Sequence, residues 1–210
     1  MPALPAIAAP GSAVWRIDSS ASELHILVFR AGALAQLGHN HVIAAGTIDG
    51  AVYRVPALED STFELAIPVA DLTVDSPQLR RRYGEEFAST PTESDISGTR
   101  SNMLGPALLD AANYPRIRLT GHLSAAAESY SVELDLMIKA TRVQRTVPIA
   151  LRFDGDLLTV AGSLELRHDE LGLEPFSALF GALQVAQVVE IHFAVTARRV
   201  CAGQASPSTS

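Results

Sequence analysis

The chain has 210 residues, 48% of them apolar and 19% charged, with a formal net charge of −7. That is enough sequence for one domain with a sizeable core, and it is too apolar for global disorder. The acid excess argues against a general nucleic-acid binder, and no apolar run approaches the ~20 residues that span a bilayer as a helix.

Residues 1–13 are rich in Ala and Pro, and residues 201–210 are small and polar. Both read as flexible tails around a single domain at 14–200. The first ten residues have no basic n-region and are broken by Pro2, Pro5 and Pro10, which makes a poor signal peptide and leaves cytoplasmic residence open. The single cysteine, Cys201, allows no disulfide within the chain and reads as a surface thiol beside the tail.

Residues 14–30 read as strand, turn, strand, with Asp18, Ser19, Ser20 and Ser22 supplying the turn. Leu24, Ile26 and Val28 mark one face of the second strand, and His25, Leu27 and Phe29 mark the other. Two apolar faces fit a wall with a cavity on one side and packed elements on the other. They also fit an ordinary buried strand. After a turn at Gly32 comes the stretch around which the chain is organised, roughly 39–54. It begins His39-Asn40-His41-Val42-Ile43 and carries Gly46 and Gly50, which suit a sharp bend at a barrel corner or bulge. Residues two apart on a strand point the same way, so His39 and His41 share a face near its start.

Residues 62–67 alternate, placing Phe63, Leu65 and Ile67 inward, and a second short strand is expected over 69–75. The run Arg80-Arg81-Arg82 reads as a solvated face. Thr90-Pro91-Thr92-Glu93 reads as a capping box with Thr90 as N-cap, opening the one long helix, which Gly105-Pro106 ends. Strands follow at 116–124, 130–139, 142–154, 157–168 and 188–200, with a hairpin signal at Asp154-Gly155. Residues 174–184 suggest a short helix or lid bearing Phe176, Leu179 and Phe180. About eight strands in hairpin connection make the chain mainly β, an antiparallel up-and-down β-barrel with one α-helix packed across one end or the side of the sheet. Such a barrel either fills its interior or holds one slender ligand.

Catalytic signatures are sparse. No Gly-x-Ser-x-Gly elbow, Gly-x-Gly-x-x-Gly loop or Walker pattern occurs. The acidic group Glu165, Asp169, Glu170 and Glu174 reads as a solvated turn. His39 and His41, with Cα atoms ~6.8 Å apart at strand rise, are able to share one metal ion. A third ligand would have to come from His122, His168, Asp169 or Glu170 through folding. The competing reading is a polar rim residue beside a hydrogen-bonded core histidine. Arg100 lies between Ile96 and Leu104 on the helix, either snorkelling or anchoring to carbonyls or a carboxylate.

Several ordered segments together resemble the YceI-like family of bacterial lipid-binding proteins. They are Trp15-Arg16-Ile17-Asp18, Leu37-Gly38-His39, Gly46-Thr47-Ile48-Asp49-Gly50, Arg100-Ser101-Asn102-Met103-Leu104 and Leu109-Asp110-Ala111-Ala112-Asn113-Tyr114-Pro115. Residues 138–147 and 164–173 also fit. The resemblance implies an extended, lipocalin-like antiparallel β-barrel with one α-helix across one end. It further implies a non-catalytic lipid-binding, isoprenoid-binding transport protein whose barrel holds a polyisoprenoid or isoprenoid quinone, with no other cofactor. It also implies residence in the periplasm or secretion. The family commonly carries Arg-Asp-x-His-Leu on the helix, and here the acid and the imidazole are missing. His39 and His41 then become the candidates for polar recognition at the mouth, with Arg100 and Met103 beside them. Ile26, Val28 and either Ile43 or Val42 would touch the tail. Transient membrane contact and a homodimer stand as further expectations. The alternative function is a metal-dependent enzyme or metal-binding protein using His39 and His41.

Overall fold

The structure, a computed structural model, describes residues 13–126 and 129–200. The two expected tails, apart from Ala13, and Cys201 lie outside the described residues. Strands β1 (Ala13–Ile17) and β2 (Glu23–Ala31) are followed by β3 (His41–Ala45), β4 (Asp49–Arg54), β5 (Thr62–Pro68) and β6 (Leu72–Val74). Helices α1 (Pro77–Arg82) and α2 (Glu93–Leu104) come next. The chain then runs through β7 (Arg116–Ala126), β8 (Ser129–Ile138), β9 (Thr141–Asp154), β10 (Leu157–Arg167), β11 (Ser177–Ala178) and β12 (Leu183–Arg199).

Every pairing is antiparallel, in the order β1-β4-β5-β7-β8-β9-β10-β12, and β12 returns to β1 to close the barrel. Three walls are broken strands. β1 and β2 lie end to end along β12, while β3 and β4 form the second wall and β5 and β6 the third. The stretch expected as one strand over 39–54 is therefore one wall in two pieces. Gly46 makes the break possible, because a Cβ there would lie 2.6 Å from the Asp71 carbonyl. Gly50 sits at φ +149, where a Cβ would lie 2.1 Å from the Glu64 carbonyl. The alternation of β5, β8, β9 and β12 places Phe63, Leu134, Val147 and Val195 inward as their sequence pattern requires. Asp154 pairs with Leu157 across a two-residue turn with Gly155 at φ +59, as the hairpin signal predicts.

Three local expectations are corrected. The N-cap of α2 is Thr92, not Thr90: its hydroxyl accepts from Asp95 N–H, and the Asp95 carboxylate accepts from Thr92 N–H at 2.8 Å. Two overlapping capping boxes compete here, and the Arg80 guanidinium holds the Ser89 carbonyl just upstream, outside the helix. Arg80 is buried rather than solvated, although Arg81 and Arg82 are exposed. Residues 174–184 form no α-helix, because Leu179 and Phe180 adopt φ 52 and 56 and break helical winding. They form β11 and a single 3-10 turn instead.

Candidate functional site

The β2 wall shows which side is inside. His25 and Leu27 are buried, while their neighbours Ile26 and Val28 are only half-buried although they face the barrel interior. An ordinary barrel wall would show the reverse. The outer face is covered by α1 and the segment after it, where Leu27 and Val42 pack on Phe87, Leu79 and Tyr83. The inner face looks onto a cavity of about 600 Å³. Its walls are aliphatic from every strand direction, including Ile26, Leu65, Leu119, Ile149, Val160 and Ile191. The volume is in the range of sites that enclose whole small molecules. Near α2 the wall residues Ile67, Ile138, Leu166 and Met103 are buried and pack with Val143 in the main core cluster, although they too border the cavity. The cavity extends along β2 and β12, from Leu37 and Phe176 at one end to Arg54 and Phe153 at the other.

Of the expected site residues, Ile26, Val28, His39, His41, Ile43 and Met103 line this cavity. Val42 does not. It sits on the opposite face of β3, fully buried in the outer cluster. Arg100 is also placed elsewhere. Its guanidinium donates to the Leu72 and Ala70 carbonyls at 2.6 and 2.8 Å, at the edge of β6 that no strand covers among the described residues. Arg100 therefore holds α2 against the barrel through backbone carbonyls, one of the two anchors that its position allowed.

A polar network beneath the rim went unread in the sequence. Asp75 is 2% exposed and lies at φ 56. It accepts from His41 Nδ1 at 2.6 Å, Val42 N–H at 2.9 Å and Arg80 Nη1 at 2.6 Å. Arg80 also donates to the Asn40 and Ser89 carbonyls at 2.7 Å each. Burial by itself would raise the Asp75 carboxyl, but the bonds from His41, Val42 and Arg80 hold it below the ordinary carboxylate range. With Nδ1 held by Asp75, the His41 ring presents Nε2 to the Thr99 hydroxyl of α2, 3.5 Å away. His39 stands beside it with ring centroids 6.4 Å apart, Nδ1 against the Ser89 hydroxyl and Nε2 3.8 Å from Asp95. The two imidazoles lie side by side at the cavity as expected, but only His41 is on β3, and His39 comes from the segment before it. Only the run of basic residues after Ser76-Pro77 hinted at the network, and one arginine among three does not announce itself as buried.

Three of the four residues expected as a third metal ligand are engaged elsewhere. His168 turns its Nδ1 to the Ala186 and Gln187 carbonyls, Asp169 pairs with Arg167, and Glu170 pairs with Arg145. Among the described residues no group of three or more His, Cys, Asp or Glu side chains is arranged around a point that an ion would occupy.

A closed antiparallel barrel around an apolar cavity with a polar rim defines the lipocalin-like class of binding proteins. The YceI-like domain pattern matches residues 15–197, and the chain belongs to that family of barrel-shaped binding proteins. Its fold is similar to that of BcnA from Burkholderia cenocepacia, at 18% identity and a TM-score of 0.63 over 86% of this chain and 98% of that one. A Campylobacter jejuni YCEI protein shares it at 9% identity and a TM-score of 0.52, over 76% and 84% of the two chains. No curated protein matches the sequence closely enough to count as a relative.

Proposed function

We propose that the protein is a non-catalytic carrier for one long amphiphile, a polyisoprenoid or isoprenoid quinone, held tail-inward in the barrel. The observation that carries this reading is the inverted burial of β2: aliphatic side chains that face the interior yet remain uncovered. Each methylene removed from water contributes ~0.8 kcal/mol, so about ten of them supply ~8 kcal/mol before the cost of immobilising the chain. Micromolar binding needs about 8 kcal/mol net, so a tail that buries more than ten such groups reaches it without any polar contact. His39, His41 and Thr99 then orient the polar end at the rim rather than supply most of the affinity.

The test is native mass spectrometry of protein purified from a bacterial host, with organic extraction and metal analysis. Wild type is expected to carry an extractable isoprenoid. The double variant Leu119→Phe/Ile191→Phe, which fills the mid-barrel without adding a polar atom, is expected to fold and carry none. Stoichiometric zinc without lipid would replace this reading with the metal site, and an empty wild type after incubation with isoprenoid would leave no carrier to defend.

A further inference from the structure

Two loops at the cavity's rim push large apolar side chains into solvent. Leu37 is 65% exposed, Phe176 46% and Leu179 61%, and Phe180 is fully exposed. The loops are joined. Leu34 N–H donates to the Ala182 carbonyl at 2.7 Å, and Gly32 lies so close that a Cβ would sit 2.4 Å from the same oxygen. Val185 N–H donates to the Phe176 carbonyl at 3.0 Å, tying the second loop to β12. Leu37 and Phe176 also line the cavity, so the lip continues into its largely apolar wall, with Arg30 on the Gly38 carbonyl and Gln184 as polar groups nearby.

The chemistry of the lip is unusual for this chain. Residues 31–38 and 175–186 contain no charged side chain, in a protein of net charge −7. At its tip Leu179 and Phe180 both hold left-handed backbone, a conformation that bulky apolar residues rarely adopt. The fold thus keeps a strained turn that displays two large apolar groups to water, which is unfavourable until something apolar covers them.

We propose that this lip is a docking surface for a lipid bilayer, with Leu179 and Phe180 entering the headgroup–acyl boundary and the cavity mouth facing the membrane. The proposal rests on the carrier reading for its purpose. A long isoprenoid resides in a bilayer, and a mouth continuous with an inserted lip lets the tail pass between two apolar media without crossing water. A loop with no charges enters that boundary with no ion to desolvate. A second copy is the weaker occupant, because joining lip to lip brings two molecules of charge −7 together. The acid excess also points to a zwitterionic surface rather than an anionic one.

The experiment is flotation of the full chain with phosphatidylcholine vesicles, with no isoprenoid added. Wild type is expected to float. Leu179→Asn/Phe180→Asn is expected to lose at least tenfold in vesicle partition, and Asn tolerates left-handed backbone, so the turn keeps its shape. Equal flotation of both proteins, or none by wild type, overturns the proposal. So does a wild-type dimer on gel filtration that the variant turns into monomer, since a second copy would then be the occupant. Flotation of wild type without isoprenoid uptake would count against the carrier reading alone. Uptake from detergent micelles by a variant that no longer floats would support both.

Discussion

Arg80 is the residue on which the rim depends. Its guanidinium reaches Asp75, the Asn40 carbonyl and Ser89 at once, and Asp75 in turn fixes His41 and the Val42 amide. A buried carboxylate without its cation is costly, so Arg80→Ala is expected to lose about 3–5 kcal/mol of stability in urea denaturation. Arg80→Lys should recover little, because a single ammonium cannot serve three acceptors at the fixed angles of the guanidinium fork. Wild-type stability in Arg80→Lys would show that this network does not hold the rim together.

Among the elements, α2 is held less by its own propensity than by its attachments. It carries few apolar side chains, and only Met103 on it is buried. Arg100 supplies the attachment to the uncovered edge of β6, and the capping box fixes its start. Arg100→Ala is expected to cost about 1–2 kcal/mol, the scale of charge-assisted hydrogen bonds at a partly exposed site. Amide hydrogen exchange should speed up across 93–104 and 70–74 and stay unchanged in β8 and β9. Uniform faster exchange over the whole barrel would mean that α2 does not open as a separate unit.

For the whole molecule, buried ionisable groups set how stability responds to pH. Burial pushes His25 and His168 below the ordinary histidine value of 6.5, and the two backbone carbonyls on His168 offset this only in part. The unfolded chain therefore takes up protons that the folded chain refuses, and stability falls as pH drops through about 6.5. Asp75 acts lower down. Its depressed carboxyl contributes stability that is present above its unfolded value of 3.8 and lost as pH falls through the folded value beneath it. Urea midpoints should be level above pH 7, decline through pH 6 and decline again below about pH 4. His168→Asn keeps a donor for the two carbonyls and should flatten the first decline. An unchanged slope in that variant would place the linkage elsewhere.

By itself the sequence determined most of the strands, the Asp154-Gly155 hairpin and most of the inward faces, because period-two alternation and turn residues act within a few positions. It also placed His39 and His41 on one side of the rim, although only His41 lies on β3 and His39 precedes it. What only the tertiary structure decided depends on groups far apart in the chain. Ile43 rather than Val42 faces the cavity because Phe87 covers the other side of β3. Arg80 is buried because Asp75 and Asn40 meet it there. The interior stays open because the residues facing one another across the barrel do not meet, and no local pattern records the distance between opposite walls.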